Sequence, residues 1–214
     1  MITDARSLWE LIERRVAETP DTTMLVDEDL RTVTYREYRD AAERAAAGLA
    51  ELGVGEGTPV SWALPTWIES LVLVGALSRL GAVQNPILPI YRHREVGFVA
   101  NQTGAKLLIV PSTWKGFDYE GMAREIAAAQ PGLDVLIVDR KLPDADPASL
   151  APPPTAPSSP DAAPVRWAFY TSGTTADPKG AQHTDRTIMA SAWSPATGSP
   201  NARSSPCRRW RTRT

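Results

Sequence analysis

The sequence contains almost no cysteine and no long hydrophobic run. Its single cysteine, Cys207, excludes an intramolecular disulfide and is typical of proteins in a reducing compartment. The longest apolar run lies between Glu69 and Arg79 and is too short to cross the hydrocarbon core of a membrane. The first six residues carry both charges and lack the apolar region of a signal peptide. We therefore expect a cytoplasmic protein without a transmembrane segment.

Acidic residues are missing from the end of the chain. All 25 of them lie at or before Asp185, whereas residues 191–214 contain five arginines. The formal net charge of −2 therefore hides an acidic body and a basic tail. A basic tail is compatible with a nucleic-acid-binding arm. Because the acidic body repels nucleic acid at long range, we expect no nucleic-acid partner.

Short strand-like segments alternate with helical segments over most of the chain. Thr34 and Glu37 have the spacing of a capping box, and apolar residues then recur at helical intervals up to Gly53. The alternation predicts βαβ units, and so an α/β fold with a parallel-rich sheet and flanking helices. The predicted strands are 24–27, 32–34, 60–64, 82–84, 107–110, 135–138 and 165–170, and the predicted helices are 3–19, 35–52, 66–80, 93–103 and 119–130.

Residues 170–180 form a glycine- and hydroxyl-rich loop that ends in a lysine. Glycine lets backbone N–H groups approach a ligand closely, hydroxyl groups donate to phosphate oxygens, and lysine adds a positive charge. The spacing differs from that of the common P-loop, because Lys179 precedes Gly180 instead of following it. This combination of residues suits a polyphosphate ligand.

The same motif resembles the phosphate loop of the adenylate-forming superfamily, which includes acyl-CoA synthetases, luciferases and peptide-synthetase adenylation domains. The chain departs from the family pattern at Ala176, where the family has glycine; if φ must be positive there, alanine costs about 1 kcal/mol. The segment from 60 to Pro86 also follows the order of the N-terminal half of acyl-CoA synthetases, so the resemblance implies a partial N-terminal domain of that fold. It further implies that Gly180 allows a tight turn after Lys179, and that the β- and γ-phosphates of ATP are held by Thr171, Ser172, Gly173, Thr174, Thr175, Lys179 and Gly180.

The activity that the resemblance implies is ATP-dependent acid–thiol ligation. In this family a carboxylate attacks the α-phosphate of ATP, pyrophosphate leaves, and a thiol such as CoA then displaces AMP. ATP with Mg²⁺, a carboxylic acid and CoA are therefore the expected ligands of a full-length enzyme. The family's magnesium-binding, ribose-binding and lid motifs have no counterpart in the 214 residues. We predict a fragment of an acyl-CoA synthetase without catalytic or metal-binding residues of its own; the alternative is a non-catalytic nucleotide- or partner-binding protein that reuses the loop.

Proline content divides the chain into segments. Eight of the 19 prolines fall within 142–164, which we interpret as an exposed, semi-rigid connector. It separates an α/β part at 1–141 from a strand, the phosphate loop and the start of a further element at 165–190. Residues 191–214 have no amphipathic period and are predicted to be a disordered tail outside the family pattern. A shifted reading frame in a GC-rich gene is our favoured explanation of this tail, with a nucleic-acid arm as the rival.

Several other residues receive structural interpretations, with functional ones as alternatives. His183 is interpreted as a packed or exposed residue, although it could approach an acyl group. Residues 91–94 are interpreted as solvated charge at a helix start, with substrate or CoA contact as the alternative. Asp185 stands where the family has histidine, so no role transfers to it. The strand before the loop is expected to lack its later neighbours, which predicts self-association through an exposed sheet edge.

Overall fold

The computed structural model of the chain describes residues 4–159, 162–171, 178–192 and 208–209. Strands and helices alternate along these residues, which confirms the predicted α/β class. The strands are β1 Thr23–Val26, β2 Thr32–Thr34, β3 Pro59–Trp62, β4 Val83–Pro86, β5 Leu107–Val110, β6 Thr113–Trp114, β7 Phe117–Asp118, β8 Asp134–Ile137, β9 Trp167–Thr171, β10 Lys179–His183 and β11 Arg208–Arg209. The helices are α1 Leu8–Glu18, α2 Tyr35–Glu51, α3 Ile68–Leu80, α4 His93–Thr103, α5 Tyr119–Ala128 and α6 Asp185–Ala192.

A seven-stranded sheet forms the centre of the described structure. Its strand order is β11-β10-β9-β4-β3-β5-β8. The five strands from β9 to β8 are parallel, whereas β10 is antiparallel to β9 and β11 is antiparallel to β10. The predicted parallel-rich sheet is therefore confirmed. The strand that leads into the phosphate loop is not an edge strand, because β9 lies between β4 and β10.

Helices cover both faces of the sheet. The first three helices pack on one face, where Leu107 and Ile109 of β5 contribute to the core. Helices α4 and α5 pack on the other face, against Leu108 and Val110 of the same strand. Successive strand residues point to opposite faces, so a strand that is covered on both sides must be apolar at every position. This explains the uninterrupted run of β5.

Helix ends follow the capping chemistry that the sequence offers. The capping box of Thr34 and Glu37 is present at the start of α2. The helix predicted at 3–19 begins only at Leu8, because the Ser7 hydroxyl accepts the N–H of Glu10 and caps the helix there. Gly81 ends α3 with a φ of 67°, in the left-handed region that glycine adopts without strain. None of the described helices is long and apolar enough to cross a membrane.

The proline-rich connector is attached to the helices along its path, which its interpretation as an exposed, semi-rigid connector did not include. Pro143 passes so close to Gly48 of α2 that a Cβ on this glycine would lie 2.7 Å from Pro143 atoms. Farther along, Arg79 of α3 donates a 2.9 Å hydrogen bond to the carbonyl of Ala151. Pro154 lies against Gly81. Most connector side chains are nevertheless exposed or half-buried, so the segment is an extended surface strap.

Three strand features differ from the sequence predictions. A small antiparallel ribbon formed by β6 and β7 precedes α5, where no strand was expected. β10 follows the phosphate loop as a five-residue strand, which the sequence analysis also did not predict. Two residues of the tail predicted to be disordered, Arg208 and Arg209, form β11 and pair with β10.

Candidate functional site

The phosphate loop is the connection of an antiparallel β-hairpin. Thr171, the last residue of β9, pairs with Lys179, the first residue of β10. The ladder continues without interruption to the pair of Trp167 and His183. The ends of the loop are thus held at the fixed separation of neighbouring strands. Four of the expected phosphate-binding residues lie outside the described residues, namely Ser172, Gly173, Thr174 and Thr175. Ala176 also lies outside them.

The hairpin places this loop at the carboxyl end of the parallel strands. Gln84 of β4 pairs with Trp167, so β9 runs two residues beyond Pro86, where β4 ends. In open α/β sheets, ligands bind outside the carboxyl ends of the strands, where the connections leave room for them. The loop after β4 starts at the same edge of the sheet. The position of the hairpin is therefore that of a ligand site.

Lys179 and Gly180 have different surroundings from those expected of a turn. Lys179 is exposed, and within the described part of the chain its ammonium group forms no ion pair. The resemblance implied that Gly180 allows a tight turn after Lys179. In the structure Gly180 lies instead inside β10, opposite Tyr170. The chain reverses before Lys179, so the flexibility of glycine is not used at this position.

Asp185 ties the base of the hairpin to the first helix. One carboxylate oxygen accepts the indole N–H of Trp167 at 2.9 Å, and the other accepts the backbone N–H of Leu8 at 3.1 Å. Leu8 is the first residue of α1, whose unpaired N–H groups attract an anion. The sequence analysis assigned no role to Asp185. No local pattern could reveal one, because its two partners lie in different parts of the chain.

An aromatic row lies along one face of the hairpin. Trp167 stacks on Phe169 with ring centroids 5.8 Å apart, and Phe169 meets His183 edge-on at 5.7 Å. The Nδ1 atom of His183 lies 3.5 Å from the Thr187 hydroxyl. These contacts support the interpretation of His183 as a packed residue, and its alternative role toward an acyl group stays a prediction.

A buried polar chain lies behind the loop, on the face that α4 covers. The Asn85 amide donates to the Ser61 hydroxyl at 2.8 Å, and this hydroxyl lies 3.5 Å from the hydroxyl of Thr103. The Asn85 carbonyl oxygen and the Tyr170 hydroxyl are buried, and neither has a hydrogen-bond partner among the described residues. Burial raises the pKa of Tyr170 to about 12. The sequence analysis missed this group, although asparagine in a strand is unusual enough to have indicated it.

Arg92, His93 and Arg94 are exposed at the start of α4, in agreement with their interpretation as solvated charge, and Arg92 in addition packs on an aromatic ring. The Arg92 guanidinium lies 4.2 Å from the centroid of Phe117, and it donates to the carbonyl of Pro89 at 3.0 Å. The Tyr119 hydroxyl donates to the same carbonyl. His93 lies 3.7 Å from a carboxylate oxygen of Glu125. Arg92 therefore fixes the loop after β4 next to the β6–β7 ribbon.

The residue types at the loop and next to it are those that bind phosphate oxygens. Within the described ranges, no group of three or more histidine, cysteine, aspartate or glutamate side chains could hold a metal. Lys179 flanks the loop and forms no ion pair among the described residues, and the amino-acid sequence between β9 and β10 is rich in hydroxyl groups and glycine. Such donors neutralise and hydrogen-bond phosphate oxygens.

Comparison with known proteins identifies the family of the chain. The sequence profile of the AMP-binding enzyme family matches residues 12–206. The chain belongs to the AMP-binding enzyme family. The match extends past residue 190, where the resemblance read from the sequence ended. The members with related sequence are adenylate-forming ligases of carboxylic acids, as the resemblance implied.

Individual relatives share about a third of the matched residues with the chain. A 2-hydroxy-7-methoxy-5-methyl-1-naphthoate–CoA ligase of Streptomyces carzinostaticus is 34% identical over 135 residues, which are 63% of this chain and 24% of the relative. The salicyl-AMP ligase / salicyl-S-ArCP synthetase of Mycobacterium tuberculosis is 36% identical over 138 residues, with the same two shares. The 4-coumarate–CoA ligase 2 of Oryza sativa subsp. japonica is 33% identical over 202 residues, covering 86% of this chain and 34% of the relative.

Solved structures of the family have the same fold. A putative long-chain-fatty-acid CoA ligase from Rhodopseudomonas palustris superposes with a TM-score of 0.68 at 25% identity, covering 86% of this chain and 46% of that one. The O-succinylbenzoate CoA synthetase of Bacillus subtilis in complex with AMP gives a TM-score of 0.66 at 25% identity, covering 87% and 44%. The chain thus spans about a quarter to a third of the curated relatives and less than half of these structures.

Proposed function

We propose that the chain supplies the phosphate-binding hairpin of an ATP-dependent acyl-CoA synthetase. The observation that carries the proposal is the pairing of Thr171 with Lys179 at the carboxyl end of the parallel strands. This pairing places both ends of the hydroxyl-rich connection at that edge of the sheet, beside Lys179, which forms no ion pair among the described residues. ATP supplies the adenylyl group that activates the carboxylic acid, with pyrophosphate as the leaving group.

The chain's own residues would act by charge and position. Lys179 is held at the first position of β10, and its ammonium group would neutralise phosphate charge at the adjoining loop. The hydroxyl groups of Thr171, Ser172, Thr174 and Thr175 would donate to the β- and γ-phosphate oxygens, and Gly173 would allow close approach of the backbone. Fixed donors of this kind stabilise charge on phosphates without reorganisation. Mg²⁺ would be bound by residues other than those of this chain.

The proposal also concerns which carboxylic acid is activated and which thiol accepts the acyl group. The relatives named above include ligases named for aromatic acids and, among the structures, one named for long-chain fatty acids, so the assays need both kinds of acid. CoA is the proposed acceptor, and the name of the salicyl relative makes a carrier protein the acceptor to test beside it. The single cysteine supports a cytoplasmic location, where these substrates occur.

Nucleotide binding can be measured on the 214-residue chain itself. A fluorescent ATP analogue should bind, and Lys179→Ala should weaken binding at least tenfold because a charge-assisted contact to phosphate is lost. Lys106→Ala is the matched control, since Lys106 is also exposed but precedes β5 at the other end of the sheet. Equal affinities of the two variants would remove the support for the hairpin as the phosphate site.

Turnover is a separate question, and we propose that the chain alone does not catalyse the reaction. Incubation with ATP, Mg²⁺, CoA and a panel of aromatic and aliphatic acids should release no pyrophosphate above background. The family's ribose, magnesium and lid motifs are not among these 214 residues. Turnover with any acid that disappears in Lys179→Ala would show instead that a smaller site suffices for activity.

A further inference from the structure

One side of β8 has no partner in the described part of the chain. On the side that faces β5, the N–H of Asp134 donates to the carbonyl of Lys106, and the N–H of Val138 donates to the carbonyl of Val110, each at 2.9 Å. Backbone groups of successive strand residues point to alternate sides. The N–H and C=O groups of Val135 and Ile137 therefore point away from β5, at the outer edge of the sheet.

The two edges of the sheet differ in their protection against pairing. At one edge, β11 is only two residues long and both are arginines. Short and charged edge strands resist association with other chains. At the opposite edge, β8 consists of one aspartate and three apolar residues, in continuous register with β5 and without proline, lysine or a bulge. An edge strand of this kind is a template for another strand.

A mainly apolar groove follows the outer side of β8. Leu52, at the end of α2, is 53% exposed and forms one wall. The small side chains of Ala127 and Ala128 form the other wall and leave the strand accessible. Two charged residues, Arg124 and Asp134, complete a lining whose other members are Leu52, Leu107, Ala127, Ala128, Leu133, Val135 and Leu136.

We propose that the chain forms a two-fold symmetric dimer by antiparallel pairing of β8 with β8 of a second copy. With Leu136 opposite the partner's Leu136 on the axis, Val135 faces the partner's Ile137 and Ile137 faces the partner's Val135. Each of these two pairs exchanges both backbone hydrogen bonds, so all the outward groups of Val135 and Ile137 are satisfied. The register is self-complementary, as a two-fold interface requires.

Charge at the two ends of β8 favours the antiparallel arrangement. The strand starts at Asp134 and is followed by Arg140 and Lys141. Arg140 already pairs with Glu28 and Asp29, whereas Lys141 forms no ion pair among the described residues. Antiparallel pairing brings Asp134 toward the Lys141 end of the partner strand. Parallel pairing would instead bring like charges together. On the face that holds Leu136, the antiparallel arrangement also places Leu52 beside the two leucines on the axis, which extends the apolar contact.

The mass of the chain in solution tests the dimer. The wild type should sediment with twice the 23.2 kDa mass of one chain, and its apparent mass should fall on dilution. Leu52→Lys should raise the dissociation constant at least tenfold, because it places a charge in the apolar groove. Leu88→Lys is the matched control, since Leu88 is 57% exposed on the loop after β4 and should leave the dimer intact. Circular dichroism checks that both variants are folded.

Disulfide trapping tests the register itself. In a Cys207→Ser background, Leu136→Cys should form a covalent dimer on mild oxidation, because residues at a non-hydrogen-bonded antiparallel position lie about 4.5 Å apart at Cα. Val135→Cys in the same background should not, since its counterpart is residue 137. A monomeric wild type at all concentrations would overturn the proposal, as would equal effects of Leu52→Lys and Leu88→Lys or a failure of Leu136→Cys to form a covalent dimer.

Discussion

Replacement of Asp185 should measure how firmly the first helix is tied to the hairpin. Asp185→Ala removes two charge-assisted hydrogen bonds, one to Trp167 and one to Leu8. Each is worth about 1.5–3 kcal/mol net when it is well shielded. The Leu8 N–H can bond to water after the change, but Trp167 is only 6% exposed and keeps an unsatisfied donor. We therefore expect a loss of about 2–4 kcal/mol in the free energy of unfolding.

The conservative variant Asp185→Asn should fall between the wild type and alanine. Its amide keeps one acceptor for Trp167 but turns a donor toward the N–H of Leu8, so the loss should be about 1–2 kcal/mol. Urea unfolding followed by far-UV circular dichroism gives these free energies from the midpoint and slope.

A double-mutant cycle with Trp167→Phe isolates the indole contact from the rest. The coupling energy between Asp185→Ala and Trp167→Phe should be at least about 1 kcal/mol. A coupling near zero, or an Asp185→Asn variant as stable as the wild type, would refute the role assigned to this carboxylate.

Three further predictions concern backbone conformation and a buried hydroxyl. Gly81→Ala and Gly104→Ala both place alanine at a left-handed helix end, with φ of 67° and 64°, which costs about 1–2 kcal/mol. In thermal melts Gly81→Ala should lower the melting temperature more than Gly104→Ala, because a Cβ at residue 81 would lie 2.8 Å from Pro154 whereas Gly104 has open space. Leu30 has a φ of 58° and is 79% exposed, so Leu30→Asn should raise the free energy of unfolding by about 0.5–1 kcal/mol, and an unchanged melting temperature would contradict the strain. Since the folded pKa of Tyr170 lies above the unfolded value of about 10, the wild type should lose stability between that pH and about 12, and Tyr170→Phe should lose less in urea titrations at those pH values.

Elements with a strong local pattern could be predicted from the sequence alone. The bounds of β5 and α4 agree with the predicted segments 107–110 and 93–103. The first is an apolar run buried on both faces, and the second has its apolar residues at helical spacing and a glycine at its end. Both patterns lie within the segment itself, so the bounds of these two elements could be predicted without knowledge of their tertiary contacts.

Other features depend on partners that are distant in the sequence. β10 has no alternating apolar pattern, and it becomes a strand because β9 offers a complete ladder to it. The strap formed by the connector depends on two glycines, Gly48 and Gly81, whose missing Cβ atoms make room for prolines from another segment. The carboxylate of Asp185 accepts a hydrogen bond from Leu8, which lies 177 positions away in the chain. No local pattern reports such contacts.

The path of the connector also sets the order in which the sheet can be assembled during synthesis. The strands β3, β4, β5 and β8 are complete before the ribosome reaches the connector, and they can pair through short βαβ crossovers. β9 must then return across the α2 and α3 surface to the opposite side of β4. At about 5–20 residues per second, the chain spends several seconds with the β9-facing edge of β4 open. Attachment of the strap at Gly48 and Arg79 shortens the remaining search for β9, because each contact reduces the loop that must close. We therefore expect the hairpin to be added to a framework that is already folded, and substitutions at Gly48 should slow the pairing of β9 with β4 more than the formation of helices.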